Sequence, residues 1–91
     1  MSFEVDEEIK FDLVPKMLKN AKGAGIQYSD IDGIRVTTDD GWWLIRPSNT
    51  QNALVARAES NSTEGLKRLS DMAVGMLSAV YDLQGQNPFE E

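Results

Sequence analysis

The sequence predicts an α+β fold in which two helices cover one face of an antiparallel sheet of about four strands. Two observations indicate it. Apolar residues recur at helical spacing in one segment near the start of the chain and in another near its end. Between these segments, short runs of alternating apolar and polar residues are separated by turn residues, as expected for half-buried strands. The predicted order of elements is β-α-β-β-β-α.

The first predicted elements are a strand over residues 2–5 and an amphipathic helix that Asp6 caps. The apolar face of this helix is predicted to contain Phe11, Val14, Leu18 and Ala21. Pro15 interrupts the pattern, because a proline inside a helix costs about 3 kcal/mol and kinks it. Either the helix bends there, or its regular part begins near Asp12. Gly23 is expected to end it.

Three further strands are predicted to complete the sheet. Alternation over residues 34–38 indicates the first, and the Asp-Asp-Gly run at 39–41 is a strong hairpin signal. The next strand covers residues 42–46 and should end at Pro47, which cannot donate to a sheet ladder. The last covers residues 54–59.

Trp42 and Trp43 are adjacent and should therefore face opposite sides of the sheet. One can enter the core. The other either covers the opposite face or lies at a cleft or interface, where aromatic side chains are enriched.

The last predicted helix has the clearest periodicity, with Asn61 or Ser62 as its cap and Gly85 just past its end. Its apolar stripe is Leu66, Leu69, Ala73, Met76, Val80 and Leu83.

Length and composition restrict the function. We expect one domain over residues 1–91, with its core over 2–83 and a tail over 84–91. Nine Lys and Arg against 15 Asp and Glu give a net charge of −6, which argues against nucleic acid as a partner. The lack of His and Cys excludes disulfides, thiolate or imidazole metal sites, and Ser-His or Cys-His catalysis. No apolar run is long enough to span a membrane, and the acidic N-terminus is unlike a targeting peptide, so a cytoplasmic protein without a membrane partner is expected.

The segment after the third strand contains groups that suit a phosphate. It reads Arg46-Pro47-Ser48-Asn49-Thr50, and Arg57 follows in the next strand. Arginine presents a planar fork of N–H donors that matches phosphate oxygens, and hydroxyl and amide groups can complete the cradle. The two arginines meet only if the register of the strands allows it. On spacing alone, they could equally be solvated strand residues beside an ordinary polar loop.

Three stretches resemble the C-terminal domain of the α-D-phosphohexomutases, the phosphomannomutase/phosphoglucomutase enzymes. They are DGIRV at 32–36, DGWWLIRPSNT at 40–50 and RAE at 57–59. The resemblance extends over about residues 2–83. It implies a fold similar to the TATA-box-binding protein, an antiparallel sheet with helices on one face, in agreement with the elements predicted above.

The resemblance also implies a substrate phosphate site formed by Arg46, Ser48, Asn49, Thr50 and Arg57. Enzymes of this family move a phosphate between the 1- and 6-positions of a hexose through a bisphosphate intermediate. A phosphoserine and Mg²⁺ in other domains do the chemistry, while this domain holds the phosphate that is not reacting and closes the cleft. The implied partners are hexose 1-phosphate, hexose 6-phosphate, the bisphosphate intermediate and the remaining domains. The chain itself should hold no cofactor and should not catalyse, as an excised domain or truncated product.

Two details refine this interpretation. Asn49 makes the loop more similar to the mannose and glucose mutases than to the glucosamine mutases, which usually have glycine there. Gln51 and Asn52 replace the Glu or Thr and the Pro that the family usually has, which should loosen the loop. Two alternatives stay open: a non-enzymatic α+β module that binds a protein partner through an exposed tryptophan, and a fragment without activity of its own.

Overall fold

The computed structural model describes residues 2–89, whose strands form one antiparallel sheet in the order β1-β4-β3-β2. Residues 1, 90 and 91, and with them the end of the predicted tail, lie outside the described part. The elements are β1 (Ser2–Glu4), α1 (Glu7–Lys10), α2 (Leu13–Gly23), β2 (Ile34–Thr38), β3 (Gly41–Pro47), β4 (Ala53–Ser60) and α3 (Thr63–Ser78). The predicted α+β class is confirmed, and the elements follow the predicted order except that two helices replace the first predicted helix. No helix within residues 2–89 is long and apolar enough to cross a membrane.

Both long helices pack on the same face of the sheet, because alternate strand residues turn their apolar side chains toward them. Trp43 and Ile45 of β3 are fully buried there, beside Ala73 and Leu77 of α3. Trp42 lies on the opposite, open face and is half-buried. The prediction that the two tryptophans separate is therefore confirmed.

The predicted first helix is two helices, with a break at Phe11 and Asp12. A continuous helix would lose the hydrogen bond of Pro15 and press the proline ring against the carbonyl of Phe11. In the structure α2 begins after Asp12, so Pro15 falls in its first turn, where the missing N–H is harmless. Val14 and Ala21 of α2 are buried as predicted, together with Leu13 and Met17. Phe11, predicted to be buried, is 60% exposed.

Helix α3 begins at the predicted cap, since the Ser62 hydroxyl accepts a hydrogen bond from the Gly65 N–H at 2.9 Å. It ends at Ser78, however, so the predicted role of Gly85 as the helix terminator is wrong. Leu66, the first member of the predicted apolar stripe, is exposed.

The early end of α3 has a packing reason. The chain leaves the helix so that the Tyr81 ring packs edge-on against Phe3 of β1, with 5.8 Å between centroids. Leu83 then reaches the core from outside the helix. Residues that follow α3 therefore contribute to the core near β1.

Candidate functional site

The predicted phosphate loop is the connection of residues 48–52 between β3 and β4. Pro47 ends β3 as predicted, because it has no N–H to extend the ladder. The Ser48 N–H donates to the Ala53 carbonyl at 2.8 Å and closes the base of the loop. The loop therefore projects from one end of the two central strands.

The strand register brings the two predicted arginines together. Arg46 lies opposite Val55, and Leu44 lies opposite Arg57. Residues paired across an antiparallel ladder share a face, so Arg46 and Arg57 are diagonal neighbours on the open side of the sheet. Such positions are about 7–8 Å apart, well within the reach of two guanidinium groups toward one anion.

Ser48 organises the loop from inside. Its hydroxyl oxygen accepts hydrogen bonds from the N–H groups of Thr50 at 3.3 Å and Gln51 at 3.2 Å. The hydroxyl proton remains available to donate to a ligand. The side chains of Asn49 and Thr50 are exposed and form no hydrogen bond to any other residue in the described part of the chain.

The cations of the site are weakly compensated. Arg57 is exposed, and no carboxylate among residues 2–89 lies within ion-pair distance of it. Arg46 has one anionic neighbour, with its Nε 3.7 Å from the Asp32 carboxylate, whose side chain is 73% exposed. A partly exposed ion pair at this distance contributes little to stability. Both guanidinium groups therefore retain free N–H donors.

A third arginine shares the open face but is held elsewhere. Arg35 of β2 pairs with Leu44, so it occupies the same row as Arg57. Its guanidinium lies 4.5 Å from the centre of the Trp42 ring, a cation–π contact one row farther from the loop. Arg35 therefore differs from Arg57 in that its guanidinium is already stacked on an aromatic ring.

Lys10 belongs to this region although the sequence analysis did not identify it. Its ammonium donates to the Gln51 carbonyl of the loop at 2.8 Å, and the residue is only 6% exposed. The acceptor is a backbone carbonyl 41 positions away. Neither side-chain chemistry nor spacing could have indicated it.

The site is an open surface rather than a closed pocket. A groove adjoins the loop, and Gln51 and Asn52 contribute to its wall, but none of the five predicted site residues lines it. Within residues 2–89, no three acidic side chains converge as a metal site requires. The arrangement can therefore bind an anion from one side, and other groups are needed to enclose it.

Comparisons with known proteins match this chain to one enzyme family. The family model described as phosphoglucomutase/phosphomannomutase, C-terminal domain, matches residues 1–76. A phosphomannomutase/phosphoglucomutase of Pseudomonas putida is 35% identical over 72 residues, which are 79% of this chain and 16% of that protein. One from Pseudomonas aeruginosa is 32% identical over 80 residues, 88% of this chain and 17% of that protein. A probable phosphoglucosamine mutase of Methanococcoides burtonii is 49% identical over 49 residues, 54% of this chain and 11% of that protein.

The chain spans about a sixth of the length of the two Pseudomonas relatives. The family match includes all four strands, the loop at 48–52 and most of α3. The chain therefore belongs to the phosphoglucomutase/phosphomannomutase family and matches its C-terminal domain.

Proposed function

We propose that this chain is the substrate-phosphate-binding, cleft-closing domain of an enzyme that interconverts hexose 1-phosphate and hexose 6-phosphate. The observation that supports it most strongly is the placement of Arg46 and Arg57. They are diagonal neighbours on the open face, beside a loop in which the Asn49 and Thr50 side chains have no hydrogen-bond partner within residues 2–89. Two neighbouring guanidinium groups with free N–H donors suit an anionic ligand.

Each proposed contact has a distinct chemical role. Arg46 and Arg57 would donate their N–H forks to phosphate oxygens and balance its charge. The hydroxyls of Ser48 and Thr50 and the amide of Asn49 would donate to the remaining oxygens. The loop is partly organised before binding, because Ser48 already holds two of its N–H groups. Such preorganisation lowers the entropy that binding must overcome.

The proposed task is positioning. In this proposal the domain holds the phosphate that is not reacting, while a phosphoserine and Mg²⁺ in other domains of the parent enzyme supply the chemistry. Correct placement of a reactant is worth several kcal/mol of the barrier in such reactions. Movement of the domain over the cleft would then exclude water. The isolated chain should bind a phosphosugar weakly and should not turn it over.

The substrate class follows from Asn49 only in part. We infer a mannose or glucose phosphate, because the loop sequence RPSNT has asparagine where glucosamine mutases usually have glycine. Relatives of both kinds match this chain, the Pseudomonas proteins and the Methanococcoides protein among them. The partners in this proposal are the hexose phosphates, the bisphosphate intermediate and the remaining domains of the parent enzyme.

The test is an amide NMR titration with glucose 1-phosphate and mannose 1-phosphate, with inorganic phosphate and unmodified mannose as controls. We expect shifts at residues 46–50 and at Arg57 with the phosphate-bearing ligands only. Arg46→Ala should abolish them, and Arg35→Ala, on the same face but stacked on Trp42, should leave them in place. Absence of localised shifts at millimolar ligand, or equal shifts with mannose, would contradict the proposal. It would favour a module that binds a protein through Trp42.

A further inference from the structure

Lys10 is an unusual residue because it places an ammonium inside the protein. The residue is 6% exposed, and no carboxylate in the described part of the chain lies within ion-pair distance of it. Its contacts are the Gln51 carbonyl at 2.8 Å and the ring of Phe11, 4.7 Å from Nζ to the ring centre. Buried lysines are rare unless paired, since removing an ammonium from water is costly. The position of Lys10 therefore needs an explanation.

The segment from β1 to α1 holds the second half of the loop at two consecutive carbonyls. The Val5 N–H donates to the Asn52 carbonyl at 2.9 Å, and Lys10 Nζ donates to that of Gln51. Ser48 holds the first half through the N–H groups of Thr50 and Gln51. Lys10 is the one charged side chain among these contacts.

The lysine also determines how a peptide group of the loop is oriented. In a trans peptide the carbonyl and the following N–H point in opposite directions. When Lys10 binds the Gln51 carbonyl, the N–H of Asn52 is directed away from the ammonium. No residue within 2–89 accepts a hydrogen bond from that N–H. The ammonium thus fixes a free donor at the end of the loop and adds a positive charge behind it.

We propose that Lys10 is a positioning residue of the phosphate loop, which orders residues 49–52 and supplies positive charge that a bound phosphate balances. This inference rests on the proposed function. It explains why the ammonium binds a loop carbonyl and faces no carboxylate: an internal salt bridge would cancel the charge that an incoming anion needs.

The experiment compares three variants. Lys10→Met removes the charge and the donor at similar length, Lys10→Arg keeps both, and Lys19→Met removes an exposed lysine of α2 as the control. Backbone ¹⁵N relaxation of the free chain reports the order of residues 49–52. Titration with inorganic phosphate reports affinity. If Lys10→Met fails to fold, as judged by the fluorescence of buried Trp43, Lys10→Gln replaces it.

We expect Lys10→Met to raise the nanosecond mobility of residues 49–52 and to weaken phosphate binding about fivefold, as the loss of one nearby charge predicts. Lys10→Arg should restore both, and Lys19→Met should change neither. A merely structural lysine would lower stability without changing either property of the folded chain. Unchanged loop order in Lys10→Met overturns the inference whether or not phosphate binds. Failure of the wild-type chain to bind phosphate would overturn the proposed function, and the relaxation data would still decide the role of Lys10.

Discussion

The two ends of β3 are stabilised in different ways. At the hairpin end, Arg68 of α3 donates two hydrogen bonds to the Asp40 carboxylate, at 2.8 Å and 2.6 Å. At the loop end, Arg46 has only a 3.7 Å approach to Asp32, and Arg57 faces no carboxylate among residues 2–89. The guanidinium donors are therefore occupied by a carboxylate at the hairpin end and available at the loop end.

In a protein whose net charge is −6, this difference distinguishes charge that is paired within the fold from charge that is open to a ligand. A guanidinium that donates two hydrogen bonds to a carboxylate has few N–H donors available for a ligand, whereas all the N–H donors of Arg57 are available. The number of basic residues does not show which arginines are free to bind a ligand. Their ion pairs show it, so substitutions at one end of β3 should have effects that differ from those at the other.

The largest effect on stability is expected from Gly41→Ala at the hairpin end. Gly41 has φ of +139°, and a Cβ there would clash with the Glu59 carbonyl of β4. We expect the free energy of unfolding to fall by about 3 kcal/mol, as for strained backbone positions. Urea unfolding followed by tryptophan fluorescence measures it. Gly75→Ala on α3, where a Cβ meets nothing within 4 Å, is the control and should stabilise the chain.

The next largest effects are expected from two arginine substitutions, one of which should lower phosphate affinity and the other stability. Arg57→Ala should weaken phosphate binding at least tenfold, because hydrogen bonds to charged groups are worth about 1.5–3 kcal/mol. Its free energy of unfolding should change by less than about 0.5 kcal/mol, since Arg57 is exposed and forms no ion pair with any residue from 2 to 89. Arg68→Ala should do the opposite, with a lower urea midpoint and unchanged phosphate affinity. Calorimetric titration and urea unfolding of both variants are the measurements. Loss of binding in Arg68→Ala would contradict the division between the two ends.

A third change tests whether the loop is organised before phosphate arrives. Ser48→Ala removes the acceptor of two loop N–H groups, so the free energy of unfolding should fall by about 1 kcal/mol. The amides of Thr50 and Gln51 should exchange faster with solvent, as hydrogen exchange by NMR would detect. Ser48→Thr keeps the hydroxyl acceptor and should preserve their protection. Equal exchange in both variants would show that the loop does not depend on Ser48.

Local patterns were sufficient to predict most of the fold. Period-two alternation and the Asp-Asp-Gly turn predicted the hairpin of β2 and β3. Adjacent residues of a strand face opposite sides of the sheet, so the two tryptophans were predicted to lie on different faces. The errors arose where tertiary packing overrides a local pattern. Phe11 continued the helical period, but the Pro15 ring prevents that helix from continuing. Leu83 also matched the period of α3, yet it reaches the core only after the chain has left the helix.

The side chains of the candidate site could be proposed from the sequence, but the contacts that hold its loop in place could not. Arg46 and Arg57 could be named from chemistry, although their approach depended on a register that only the structure gives. The resemblance to a known family, rather than spacing, selected a phosphate ligand over a solvated loop. Lys10 carried no local signal, because its partner is a main-chain carbonyl and every residue has one.

The smallest effect is the pH dependence of the pair at the hairpin end. The hydrogen bond from Arg68 holds the pKa of the Asp40 carboxyl below its usual 3.8, and its positive charge acts in the same direction. A carboxyl whose pKa is lowered by folding stabilises the native state above its unfolded pKa, and that stabilisation is lost as the pH falls through its folded pKa. Asp40→Asn should therefore be less stable than the wild type at pH 7, and the difference should shrink once the pH falls below about 3.8.

Urea unfolding of both proteins from pH 7 into the acid range measures this difference, with Asp71→Asn, which alters an exposed pair with Lys67, as the control. A gap between wild type and Asp40→Asn that persists unchanged into acid would contradict the role of the Arg68 contact. Because the pair lies at the surface, added salt should narrow the gap at pH 7 as well. Salt should also weaken phosphate binding at the other end, where the arginines act on a ligand instead of a carboxylate. Added salt would then affect both ends of β3, by lowering the free energy of unfolding at the hairpin end and the affinity for phosphate at the loop end.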